Sequence, residues 1–100
     1  MWEVKLTEKA EEELRINIRS RKISGEDLKI IKAWITQIEG YGPKYVQDEG
    51  KWDDHTLYGI WEGFRSSCFS RSGRIIYRII EKKIIVEVVR ITPDHNYRSN

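Results

Sequence analysis

The sequence predicts an α+β fold from three features: an alternating apolar stretch at its start, two consecutive segments of helical period, and a C-terminal run of β-branched residues broken by two turns. The expected order is β-α-α-β-β-β, a helical hairpin packed on a mainly antiparallel four-stranded sheet. At 100 residues the chain suits one core rather than two, so residues 1–100 are expected to form a single domain.

Each element has a local reason. Trp2, Val4 and Leu6 alternate with Glu3 and Lys5, the period of a short strand with one buried face. Thr7 then caps a helix over residues 8–20, with Glu8 and Glu11 at its positive end and Ala10, Leu14 and Ile18 as its apolar stripe. Ser24 and Asp27 have capping-box spacing ahead of Leu28, Ile31, Ile35 and Ile38, so a second helix starts there. It should end near Glu39, with Gly40 as its left-handed cap and Gly42-Pro43 beyond it. Trp34 on this helix is expected in the core.

Residues 40–60, with Gly40, Gly42, Pro43, Gly50 and Gly59, read as an irregular crossing loop. Three strands follow, over Trp61–Arg65, Arg74–Ile80 and Ile84–Ile91, with turns at Ser72-Gly73 and Lys82-Lys83. The last two are apolar on both faces apart from Arg78, Glu87 and Arg90, which predicts central positions covered by the helices.

Composition narrows the function classes. The only cysteine is Cys68, so no intrachain disulfide can form and a thiolate zinc site lacks ligands. A reducing cytosol is the expected compartment. No apolar run is long enough to span a membrane, and Glu3, Glu8, Glu11, Glu12 and Glu13 exclude a secretory signal in the first twenty residues. The net charge of +2 is uneven: residues 1–50 carry nine Lys/Arg against ten Asp/Glu, and residues 51–100 carry nine against six. Between Arg65 and Lys83 six basic residues face only Glu81. Such a block serves equally as a solvated face or as a surface for phosphates.

Chemistry-bearing residues fall in Asp53-Asp54-His55, Gly63-Phe64-Arg65, Ser70–Arg74 and Asp94–Arg98. In an antiparallel meander the tail can lie across the face carrying the middle strand's arginines, bringing His55, His95, Tyr97 and Arg74 toward one place. RNA cleavage by internal attack needs that set: a base for the 2′-OH, cations for the pentavalent phosphate, and an acid for the departing 5′-oxygen. No metal or other cofactor is required. Arginine's planar fork suits the phosphate, histidine suits proton transfer near neutrality, and Tyr97 suits base stacking or proton carriage. Arg65 serves equally well as an ion-pair partner of Asp53 or Asp54.

His55-Thr56-Leu57-Tyr58-Gly59, Trp61–Arg65, Gly73-Arg74-Ile75-Ile76-Tyr77-Arg78 and the closing Ile91–Tyr97 segment together resemble the RelE/ParE toxin superfamily of bacterial type II toxin–antitoxin modules, over essentially the whole chain. The resemblance implies a microbial RNase fold, ribosome-dependent endoribonuclease action on mRNA, and neutralisation by a cognate antitoxin. It implies no membrane partner, and contact with DNA only through a toxin–antitoxin repressor complex. Arg74 matches the arginine at the scissile phosphate of RelE-like nucleases, and His55 matches the loop histidine of the YafQ-like branch. His95 and Tyr97 match the terminal region where family members place a histidine, arginine or tyrosine. Cys68 stands where that branch has a strand histidine, and Ser66 and Ser72 where it has aspartates.

The expected catalytic set is therefore Arg74, His95, Tyr97 and His55, with Arg65, Arg71, Arg78, Arg98 and Lys51 as RNA contacts. A ParE-type toxin that inhibits DNA gyrase by protein contact is the alternative within the same fold. A module that occupies RNA without cutting it is a third reading.

Overall fold

A computed structural model describes residues 1–94. Its core is a five-stranded sheet in the order β1-β5-β4-β3-β2, with β1 at Glu3–Leu6, β2 at His55–Thr56, β3 at Arg65–Cys68, β4 at Arg74–Ile80 and β5 at Ile85–Thr92. Only β1 and β5 run parallel; the other neighbours are antiparallel. The sheet has one strand more than the sequence suggests, because the two residues of β2 are too few to give a periodic signal. As expected, the two most apolar strands, β4 and β5, are central.

Helix α1 spans Glu8–Arg19 and α2 spans Gly25–Tyr41. Thr7 Oγ1 accepts the Ala10 N–H at 3.1 Å, and the Ser24–Asp27 capping box is complete, with bonds of 3.0 and 3.1 Å in its two directions. Each cap stabilises its helix by about 1 kcal/mol. Helix α2 runs past Gly40 and is capped by Gly42, whose φ of 91° needs glycine and whose absent Cβ leaves room for Trp2 Nε1. Pro43, which cannot extend α2, opens the short helix α3 at Pro43–Asp48, since a proline at the first turn loses no hydrogen bond. The expected irregular crossing thus contains a helix, with Pro43 and Val46 buried.

Ala10, Ile31, Trp34 and Ile38 pack with Trp52, Phe69, Ile75, Tyr77, Val86, Val88 and Ile91 in the main core on the helical side of the sheet. Ile18, expected in that stripe, is 39 % exposed. On the opposite face Leu57, Trp61 and Phe64 form a small cap over Ile76 and Val89. Trp61 therefore seals the sheet from a tight turn, in which its N–H meets the Tyr58 carbonyl at 3.3 Å and its carbonyl accepts the Phe64 N–H at 3.0 Å. That turn displaces the strand expected over Trp61–Arg65 to Arg65–Cys68, the observed β3.

Helix α1 also covers β5 beyond the end of β1. There Glu13 accepts the Ile91 N–H at 3.1 Å and the Arg90 Nη2 at 2.7 Å, standing in for a strand neighbour. Among the described residues no helix is long and apolar enough to cross a membrane.

Candidate functional site

Paired residues in a sheet project to the same face, so the register fixes which side chains share the surface opposite the helices. Ile75 and Tyr77 of β4 belong to the main core, which sends Arg74, Ile76 and Arg78 to the other side. His55 pairs with Ser66, Ser66 with Ile76, and Cys68 with Arg74. His55, Cys68, Arg74 and Arg78 accordingly share one face. His55 and Arg74 lie two strands across and two residues along, about 12 Å between Cα atoms by ordinary sheet spacing.

The chain leaves β5 at the same end. Thr92 pairs with Arg74, and Ser72 Oγ donates to the Pro93 carbonyl at 2.8 Å, tying the β3–β4 turn to the outgoing segment. Arg74 Nη1 donates to the carbonyls of Gly73 and Arg71 at 3.0 and 3.3 Å, which holds its head over that turn. Burial raises the Cys68 thiol pKa; Arg74 opposes the shift, while Asp53, whose Oδ2 lies 3.9 Å from Sγ, adds to it.

His55 is exposed, with Nδ1 3.0 Å from the Asp53 carbonyl oxygen. A carbonyl only accepts, so this contact favours the tautomer protonated at Nδ1 and leaves Nε2 as the basic nitrogen. Ser66, next to His55 in register, is fully buried, and its Oγ has no hydrogen-bond partner among the described residues. It offers no exposed polar group where the resemblance places an aspartate.

The remaining arginines and the lysine scatter. Arg78 sits on the candidate face but pairs with Glu87 at 2.7 Å and lies over the Phe64 ring. Arg71 is exposed in the β3–β4 turn. Lys51 stands 5.2 Å over the ring of Trp52, which is itself anchored through Nε1 to Gln37 of α2 at 3.0 Å. Arg65 takes the ion-pair role of the two weighed for it: Nε donates to Asp54 Oδ1 at 2.7 Å on the helical side of the sheet. His95, Tyr97 and Arg98 lie outside the described residues.

A polar cluster without a clear sequence signal sits behind the face. The Asp54 side chain is wholly buried and accepts from Arg65 Nε, from Ser67 Oγ at 2.5 Å and from Tyr77 OH at 2.5 Å. Ser67 Oγ in turn accepts Trp34 Nε1 at 2.9 Å, and Trp34 meets Tyr77 edge to face at 5.2 Å. Burial, followed by the Asp54 carboxylate, pushes the Tyr77 hydroxyl far above its usual range. Only the Asp54–Arg65 pairing was foreseeable, from opposite charge; Ser67 and Tyr77 could be assigned only once the register was known.

Among the described residues no group of three or more His, Cys, Asp or Glu side chains is placed to hold a metal ion. The sequence matches no family model and no curated protein. Its fold is nevertheless that of RelE-like toxins. A metal-bound toxin from Helicobacter pylori superposes at a TM-score of 0.77 with 21 % identity, over 99 % of this chain and 100 % of that one. YafQ from Escherichia coli superposes at 0.72 with 14 % identity, over 91 % of each chain. The Staphylococcus aureus YoeB–YefM complex gives 0.67 with 14 % identity, over 92 % of this chain and 95 % of the other.

Proposed function

We propose that the chain is the toxin of a bacterial toxin–antitoxin pair, acting in the cytoplasm as a ribosome-dependent endoribonuclease on mRNA. The observation that carries this reading is the shared face: Arg74 at the point where the chain leaves β5, and His55 on the edge strand two positions away. The fold it shares with proteins named as toxins supports the same reading, and their complexes with antitoxins support a cognate antitoxin as partner.

In the proposed reaction the 2′-oxygen attacks the adjacent phosphorus and its proton passes to His55 Nε2 or to His95. Arg74 offsets the charge of the pentavalent phosphate. The P–O5′ bond breaks, the 5′-oxygen takes a proton from His95 or Tyr97, and the products are a 2′,3′-cyclic phosphate and a 5′-hydroxyl. The chemistry calls for no metal. Arg71, Arg78, Arg98 and Lys51 are proposed to contact the ribosomal and messenger phosphates, which fix position without reading sequence. Arg65, which pairs with Tyr77 and donates Nε to Asp54, is on the other side of the sheet from Arg74.

Primer extension on mRNA after induction, and in a purified translation system, tests the proposal. Wild type should cut translated message and leave naked RNA largely intact, and Arg74→Ala should cut the message on the order of 100-fold more slowly. Growth arrest with uncut mRNA and DNA-damage signalling selects the gyrase-inhibitor alternative, and intact RNA at saturating protein selects a binding module.

A further inference from the structure

Strand β2 is only two residues long, with two register pairs to β3, too little to hold an edge strand in place by itself. What precedes it is Asp54, a carboxylate whose side chain is wholly buried. Asp54 accepts three side-chain donors, two from β3 and one from β4, and the β3 serine among them is itself bonded to Trp34 of α2. A carboxylate taken wholly out of water is stable only with such compensation. A hydrophobic side chain would fill the same space without that demand.

With residue 54 turned inward, its neighbours turn outward. Asp53 and His55 are both exposed, and Asp53 holds a left-handed backbone at φ 45°, an unfavoured conformation for a residue with a Cβ. That conformation aims the Asp53 carbonyl at His55 Nδ1 and its carboxylate at Cys68. The buried anchor and the exposed histidine are therefore two ends of one short rigid segment.

We infer that Asp54 is the positioning residue for His55: its buried bonds to Arg65, Ser67 and Tyr77 fix the segment 53–56 so that the imidazole presents Nε2 to the face carrying Arg74. The inference rests on the nuclease reading for its catalytic consequence but not for its structural one. In Asp54→Asn an amide donor replaces one acceptor oxygen and the charge facing Arg65 is lost. In Tyr77→Phe one of the three donors goes while the ring stays against Trp34.

Two readouts test it in the full chain. By NMR without RNA, both variants should shift the His55 ring signals and speed hydrogen exchange at the 53–56 amides, while the Thr7 and Ser24 helix caps remain protected. In the translation system, Asp54→Asn should lower kcat on the order of 100-fold with KM little changed, and adding it to His55→Ala should cost nothing further. A purely structural role gives the opposite: unmoved His55 signals in the folded variants, or losses that add in the double variant, and either result overturns the assignment. Should Asp54→Asn fail to fold, Tyr77→Phe answers the same questions with a smaller effect. If wild type cuts no RNA the nuclease reading fails, and the NMR arm still decides whether Asp54 positions His55.

Discussion

Arg74 stands directly across from Cys68 in the β3–β4 register. Burial and Asp53 keep the thiol protonated despite the neighbouring guanidinium, so sulfur is neither nucleophile nor base near neutral pH. Cys68→Ser should therefore retain cleavage. Arg74→Ala should lose about 3 kcal/mol of transition-state stabilisation, as removal of a charge-stabilising donor does. Arg74→Lys should recover part of it, because an ammonium supplies charge without the bidentate fork. Rates of message cleavage for the three variants check this, and activity that depends on Cys68 but not on Arg74 would contradict it.

On the helical side, Tyr77 gives the protein a pH-dependent stability. Its folded pKa lies well above the ordinary value of 10.0, with burial the larger cause and Asp54 the next. Above pH 10 the unfolded chain releases this proton while the folded chain keeps it, so the native state binds more protons and stability falls as pH rises. Below that point the contribution is fully present. Tyr77→Phe should be less stable than wild type at neutral pH by about 2 kcal/mol, for a lost bond to a charged acceptor. Its alkaline decline should be shallower, so denaturant curves of the two proteins converge toward high pH. Tyr45, also raised, is common to both proteins and drops out of the comparison.

How far these features could be read from the sequence depends on their range. Thr7 and the Ser24–Asp27 box act within one helical turn, and both were visible as spacing. The central placement of β4 and β5 followed from their apolar runs. The strand expected over Trp61–Arg65 was misplaced because Trp61 and Phe64 look like strand residues but pack into the cap, while Ser66 and Ser67 look like a loop yet are fully buried in β3. Hydropathy cannot register polar burial that is compensated by partners distant in sequence, such as Trp34 and Asp54 around Ser67. Arg74 and His55 were legible as residue types, but their common face needed the register.

The Glu13 carboxylate serves two groups at once: the buried Arg90 guanidinium and the Ile91 N–H. Glu13→Ala removes both bonds at a site where water has little access. We expect a loss of about 3 kcal/mol and a Tm lower by on the order of 15 °C. Glu13→Gln keeps an acceptor for Ile91 and should fall between the two. Thermal unfolding at neutral pH measures this, and a Glu13→Ala protein as stable as wild type would show that α1 holds β5 by apolar packing alone.

Gly73 links stability to the site. It is buried in the β3–β4 turn, its N–H donates to Ser70 Oγ at 2.8 Å, and its carbonyl accepts from both the Phe69 N–H and Arg74 Nη1. A Cβ here would overlap the Phe69 ring edge, with Cε1 and Ser70 Oγ both at 2.6 Å, and Phe69 is a core residue only 2 % exposed. Backbone and ring must therefore give way together, at a cost of about 2 kcal/mol for overpacking. Because the same carbonyl holds the Arg74 head, the distortion should also move the guanidinium. Gly73→Ala is expected to lower kcat even at temperatures where the protein is fully folded, while in an Arg74→Ala background it should change stability alone. Comparing unfolding curves and cleavage rates across the two single variants and the double variant separates these effects. Equal fractional loss of cleavage in the presence and absence of Arg74 would mean that the turn supports the strand without aiming the arginine.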